Sequence, residues 1–125
     1  MIIFLDDDPD LANLLEKKFA NFGEDIVVFS SIKKLMESEL LEKASLLCFD
    51  INLDHENGIE FFKEIHPLYP SVSSLCFSNY SDLLEEQLQK VGVTNLVCKE
   101  DGIDLLMNEV GRILDERKLY SNVAS

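Results

Sequence analysis

Short apolar runs alternate with longer stretches of helical periodicity along the whole chain. Ile2 to Leu5 is the first run. Asp8 then stands where a helix cap is wanted, with Pro9 at the first helical position, where a missing N–H costs nothing. Leu11, Leu14, Leu15, Lys18, Phe19 and Phe22 recur at helical spacing until Gly23. Ile26 to Phe29 is the second run. A helix capped by Ser30 or Ser31 follows, carrying Ile32, Leu35, Met36 and Leu40.

Leu46 to Phe49 is the third run, and it closes on Asp50. A polar loop from Asp50 to Asn57 leads into a helix over Ile59 to Ile65, with Gly58 marking a tight turn or close approach and Pro67 and Pro70 fixing its end. Val72 to Phe77 predicts a fourth strand, followed by a helix with Leu83, Leu84, Leu88 and Val91 that Gly92 closes. Thr94 to Cys98 predicts a fifth strand. Asp101 is placed to cap a last helix bearing Ile103, Leu106, Val110, Ile113 and Leu114, and from Lys118 the chain turns polar.

Short apolar strands between helices are the mark of strands buried on both faces of a parallel sheet. Five such units make an α/β, (βα)5 doubly wound fold, with right-handed crossovers placing helices on both faces. For one crevice to hold the acids after both the first and third strands, these strands must be neighbours. The flavodoxin-like order 2-1-3-4-5 meets that condition and puts the crevice between them. The expected organisation is one domain over residues 1–118, with 119–125 a polar C-terminal tail or truncated linker.

Composition narrows the reading. Hydrophobic residues make up 46% of the chain, enough for a packed core despite the charge. Acidic residues number 24 against 11 basic, a net charge of -13, which disfavours direct binding to nucleic acid or an anionic membrane and favours a cation or a basic partner. Cys48, Cys76 and Cys98 have no metal-site spacing, and each lies in an apolar run, so buried thiols of a reducing compartment are expected. No apolar stretch has spanning length, and Met1 to Leu5 runs into aspartates without a basic lead, so the expected localisation is cytoplasmic.

Four of the five strands end at a polar residue able to face one crevice: Asp6 and Asp7, Asp50, Ser78, and Lys99. Crowded carboxylates repel one another, and an all-oxygen set selects a hard divalent ion such as Mg2+. A carboxylate, a metal site, a hydroxyl and an ammonium together suit phosphoryl transfer onto Asp50. Lys99 and the Ser78 hydroxyl would then meet the phosphoryl oxygens. The plainer alternatives are that Asp6 to Asp8 only cap a helix and that Lys99 only pairs with neighbouring acids.

These residues stand in motifs that resemble the receiver domain of bacterial two-component response regulators. The resemblance runs through Phe4-Leu5-Asp6-Asp7-Asp8-Pro9, Cys48-Phe49-Asp50 to Asn57-Gly58, Leu75-Cys76-Phe77-Ser78-Asn79, and Val97-Cys98-Lys99 after Gly92. It implies that Asp50 is the phosphoacceptor, taking the group from a histidine kinase or a histidine phosphotransfer protein. It also implies Mg2+ on Asp7, Asp50 and the backbone carbonyl of Asn52, with Asp6 acting through water, and phosphoryl contacts from Ser78 and Lys99. The expected output is a change in protein contacts, toward a downstream target or fused output domain, or a homodimer through the last strand and helices. Such a domain is a phosphorylated signalling unit rather than an enzyme, with only self-phosphotransfer and slow autodephosphorylation. Asn52, Asn79 and Glu56 are expected at the cleft mouth, where they would influence dephosphorylation by water.

The chain departs from the family pattern at three places. Glu100 follows Lys99 where proline, often with a cis bond, is usual; a non-proline cis bond costs about 3 kcal/mol, so a trans bond is expected. Leu96 occupies the switch position usually held by an aromatic residue. Asp54 replaces a proline in the turn after the phosphoacceptor. Two other readings fit the same residues. One is a protein-binding pseudo-receiver without phosphorylation. The other is a phosphatase like the haloacid dehalogenases, with Asp6 as nucleophile and Asp8 as acid, although that scheme leaves Asp50 without a role.

Overall fold

The computed structural model describes the backbone of residues 1–124 and the side chains of residues 1–120. Its elements run in the order β1 (Ile2–Leu5), α1 (Pro9–Lys18), β2 (Ile26–Phe29), α2 (Ile32–Ser38), β3 (Leu46–Phe49), β4 (Asn52–Leu53), β5 (Glu56–Asn57), α3 (Gly58–Ile65), β6 (Ser73–Ser78), α4 (Asp82–Lys90), β7 (Leu96–Cys98) and α5 (Ile103–Ala124). The main sheet is parallel throughout, in the order β2-β1-β3-β6-β7. Counting its five strands in chain order, this is the expected 2-1-3-4-5. β4 and β5 form a separate antiparallel hairpin.

Alternation along the strands splits the core into two layers, because successive side chains point to opposite faces. Ile3, Leu5, Leu47, Phe49 and Cys76 face α2, α3 and α4, where they meet Leu35, Phe62 and Leu88. Ile2, Phe4, Leu46, Cys48, Leu75 and Val97 face α1 and α5, against Leu15, Phe19, Leu106 and Val110. β3 lies between β1 and β6 and is buried at all four residues. Its carboxyl end therefore opens at the centre of the sheet edge.

Several boundaries differ from the sequence pattern. α1 stops at Lys18 rather than at Gly23: tight turns from Lys17 to Ala20 and from Phe19 to Phe22 replace the helical ladder. Phe19 and Phe22 keep their place in the core through ring contacts, with centroids 4.8 Å apart. α2 ends before Leu40, because Glu39 turns left-handed at φ 58°. The fifth strand of the sheet begins at Leu96, not Thr94. Asp101 falls in a single 3-10 turn over Lys99–Asp101, and Gly102 supplies the carbonyl that accepts the first bond of α5, from Leu106. The segment from Leu119, expected as a polar tail, continues α5 to Ala124; Ser125 lies outside the described residues.

Cys48 and Cys76 are buried as expected, whereas Cys98 is half-buried. Every peptide bond among the described residues is trans. No helix among them is long and apolar enough to cross a membrane.

Candidate functional site

Parallel register carries the strand ends to one place. Leu5 pairs with Phe49, and the Asp50 N–H donates to the Leu5 carbonyl at 3.0 Å, so Asp6 and Asp50 leave the sheet side by side. β6 runs further, through Ser78, which pairs with Cys98 immediately before Lys99. Asp6, Asp50 and Ser78 are the buried polar residues among those described. A buried polar group without a partner is costly, and here each has one.

The Ser78 hydroxyl donates to Asp50 Oδ1 at 2.5 Å and accepts from the Ile51 N–H at 3.4 Å. Lys99 Nζ stands 2.8 Å from Asp50 Oδ2 and 2.8 Å from Asp6 Oδ2. Carboxylate oxygens of Asp6, Asp7 and Asp50 all lie within 4.8 Å of one another. The donors are all oxygen and nearest each other at a strand edge, which fits a hard divalent cation and gives a soft one no sulfur or imidazole.

Burial and pairing act in opposition here. Desolvation pushes the Asp6 carboxyl above its ordinary pKa, although Lys99 and the Asp8 N–H both favour its charged form. For Lys99 burial pulls the ammonium down, but its hydrogen bonds to Asp50 and Asp6 outweigh this and hold its pKa above the usual value. Lys99 thus joins Asp6 to Asp50, and the three acids together still outnumber the one ammonium.

The loop after Asp50 is more ordered than its polar sequence indicates. Asn57 caps α3 by accepting from the Ile59 and Glu60 N–H groups. Gly58 packs its backbone directly on the Asp50 carbonyl, where a Cβ would overlap the oxygen. Asp54 sits at the hairpin turn with φ 45°, a left-handed conformation that aspartate tolerates better than most residues. Its N–H donates to Asp7 Oδ2 at 2.7 Å. The sequence pattern marks a polar turn between Leu53 and Glu56 but carries no sign of that bond.

The remaining candidates are spread around this centre. Asp8 is exposed and caps α1, accepting from Asp10 and Leu11, so it does not share the buried cluster. Asn79 is exposed beside β7, with the Cys98 thiol 3.6 Å from its Oδ1. Asn52 is exposed on β4, its N–H 3.4 Å from Asp50 Oδ1. Glu56 reaches away toward α2, where Oε1 accepts from the Ile32 N–H at 3.2 Å. Leu96 is half-buried in β7 and packs against the α3–α4 layer.

A (βα)5 sheet with an acidic triad, a hydroxyl and a lysine at the carboxyl ends of its strands is a receiver-like α/β arrangement. The family profile described as "Response regulator receiver domain" matches residues 2–111. The chain belongs to that family of two-component system domains.

Solved structures agree on the fold. The CheY-like response regulator receiver domain protein from Methanospirillum hungatei superposes with a TM-score of 0.83 at 20% identity, covering 95% of this chain and 96% of that one. The BeF3-activated receiver domain of DrrB, a Thermotoga maritima protein, gives 0.80 at 21% identity, covering 91% and 96%. The BeF3-activated N-terminal receiver domain of Klebsiella pneumoniae RstA gives 0.81 at 20%, covering 90% and 97%. No curated protein matches the chain.

Proposed function

We propose that this domain accepts a phosphoryl group on Asp50 from a histidine kinase or a histidine phosphotransfer protein, in a Mg2+-dependent reaction, and signals through altered protein contacts. The observation that carries this reading is the placement of Asp50. It is buried at the carboxyl end of the central strand, bonded to both Ser78 and Lys99, with Asp6 and Asp7 within cation-sharing distance.

Asp7, Asp50 and the Asn52 carbonyl would hold the ion, with Asp6 acting through water. When bound, Mg2+ supplies the positive charge that lets an anionic donor approach an acidic cleft. In the transfer, an Asp50 carboxylate oxygen attacks phosphorus and the P–N bond of the phosphohistidine breaks. Its electron pair goes to an imidazole whose other nitrogen carries a proton, and an acyl phosphate remains on Asp50. Lys99 exchanges its pairing with Asp50 for one with a phosphoryl oxygen, and the Ser78 hydroxyl turns from Asp50 to another. Asn52 and Asn79, both exposed, would orient the water that later hydrolyses the acyl phosphate. With its carboxylate bonded to the start of α2, Glu56 would affect that step through the loop.

Leu96 occupies the position from which output coupling would proceed, without an aromatic ring to turn. The recipient of the signal is a downstream protein, a fused output domain or a second copy meeting through the last strand and helices, in the cytoplasm. Asp8 is spent on capping α1, which speaks against the phosphatase scheme that needs it as an acid.

The test is intact-mass measurement after incubation with Mg2+ and acetyl phosphate or phosphoramidate. One added phosphoryl group, absent from Asp50→Asn and absent without Mg2+, is the expected result. A folded protein that binds no Mg2+ and gains no mass would instead mark a pseudo-receiver, and equal labelling of Asp50→Asn would remove Asp50 as the acceptor.

A further inference from the structure

The β4–β5 hairpin is fastened at three points. At its base the Gly58 N–H donates to the Ile51 carbonyl at 2.7 Å, and Gly58 lies flush on the Asp50 carbonyl. On its outer side Glu56 accepts from the Ile32 N–H. At its tip the Asp54 N–H donates to Asp7 Oδ2 at 2.7 Å, across 47 residues of chain. The first two bonds hold the loop in place. The third reaches into the acid cluster.

Asp7 is the member of the cluster with the least support of its own. Asp6 is held by the Asp8 N–H and Lys99, and Asp50 by Ser78 and Lys99. The bond that orients the Asp7 carboxylate comes from the hairpin tip. An N–H on one oxygen of a carboxylate fixes the rotamer and leaves the other oxygen to face a cation, which is how outer hydrogen bonds tune metal ligands.

We propose that the main-chain amide of Asp54 is a positioning group for Asp7: it sets the carboxylate for a divalent cation and couples the hairpin to the cation site. The inference rests on the proposed Mg2+ role of Asp7. The left-handed φ of 45° at Asp54 carries the chain on from that bond into β5, so a substitute at this position has to accept that conformation as well as keep the N–H. A proline at this position has no N–H and cannot adopt that φ. Asparagine and glycine keep the N–H and accept the conformation.

The experiment compares Mg2+ affinity, by calorimetry and by the ion-induced rise in Tm, for wild type, Asp54→Asn, Asp54→Gly and Asp54→Pro. All three variants lose the same side-chain charge, so that effect cancels between them. Asp54→Pro is expected to bind Mg2+ about tenfold more weakly than Asp54→Asn or Asp54→Gly. Equal affinity in all three overturns the proposal while leaving the Mg2+ reading intact. No Mg2+ binding by wild type, or binding unaffected by Asp7→Asn, overturns both.

Amide hydrogen exchange in the ion-free wild type decides the matter independently if Asp54→Pro does not fold. The Asp54 amide is expected to be protected, and to lose protection in Asp7→Ala. An Asp54 amide exchanging as fast as a free turn overturns the proposal.

Discussion

Gly58 lies against the main-chain carbonyl of Asp50 so closely that a Cβ there would overlap the oxygen. The contact fixes the exit of the chain from β3 and so the direction of the Asp50 side chain. Gly58→Ala must push this backbone apart. A loss of about 2 kcal/mol in urea unfolding is expected, within the range for overpacking a tight interior. Slower labelling of Asp50 by acetyl phosphate should accompany it. Unchanged stability and labelling would show that the loop moves aside freely.

Lys99 is the counter-charge for both Asp6 and Asp50. Lys99→Met leaves two buried carboxylates facing each other. Breaking a fully buried pair costs about 3–5 kcal/mol. The Lys99 side chain is 23% exposed, so a smaller loss, on the order of 2 kcal/mol, is expected. Mg2+ should restore part of it, because a divalent cation relieves the same repulsion. Chemical denaturation with and without Mg2+ measures the difference.

Within the acid cluster, Lys99 and Asp6 give the ion-free domain a pH signature. Lys99 has a raised pKa in the folded state, so its stabilising contribution is complete below 10.5 and is lost as pH rises through the higher folded value. Asp6 is also raised, mainly by burial, so the folded state holds that proton more tightly than the unfolded chain does. Its contribution is complete below 3.8 and declines as pH rises through the folded value. Stability curves of Asp6→Asn and Lys99→Met should lack the acidic and the alkaline component respectively.

The thiols should divide by position. Burial lifts Cys48 well above its ordinary pKa and Cys76 to about 12, which leaves almost no thiolate at pH 8. Cys98 is half-buried at the end of β7, beside Asn79. Titration with a chromogenic disulfide should therefore show Cys98 reacting fast and the other two only on unfolding. Equal rates at all three would mean that the sheet opens readily.

Much of this molecule was legible in the order of its residues. Four-residue runs such as Leu46 to Phe49 cannot shield themselves, so they have to lie between two layers of helices, and that requirement fixes a doubly wound sheet. The strand order followed from asking Asp6, Asp7 and Asp50 to share a crevice, and β1 does lie beside β3. Asp8 and Pro9 marked the start of α1 because capping is a local matter, settled within a few residues. Helix ends were less visible. The apolar spacing of Phe19 and Phe22 suits a helix and a pair of turns equally well, since either delivers the rings to the core.

Local pattern therefore determined which residues could meet, through periodicity, capping and the polar ends of strands. Tertiary structure alone decided how they meet. That Lys99 divides itself between Asp6 and Asp50, and that the Asp54 N–H meets Asp7, depends on strand register and on the path of the β4–β5 hairpin. Hydrogen bonds reach about 3 Å, and contacts across 47 to 93 residues of chain at that range are set by the packing of the whole sheet.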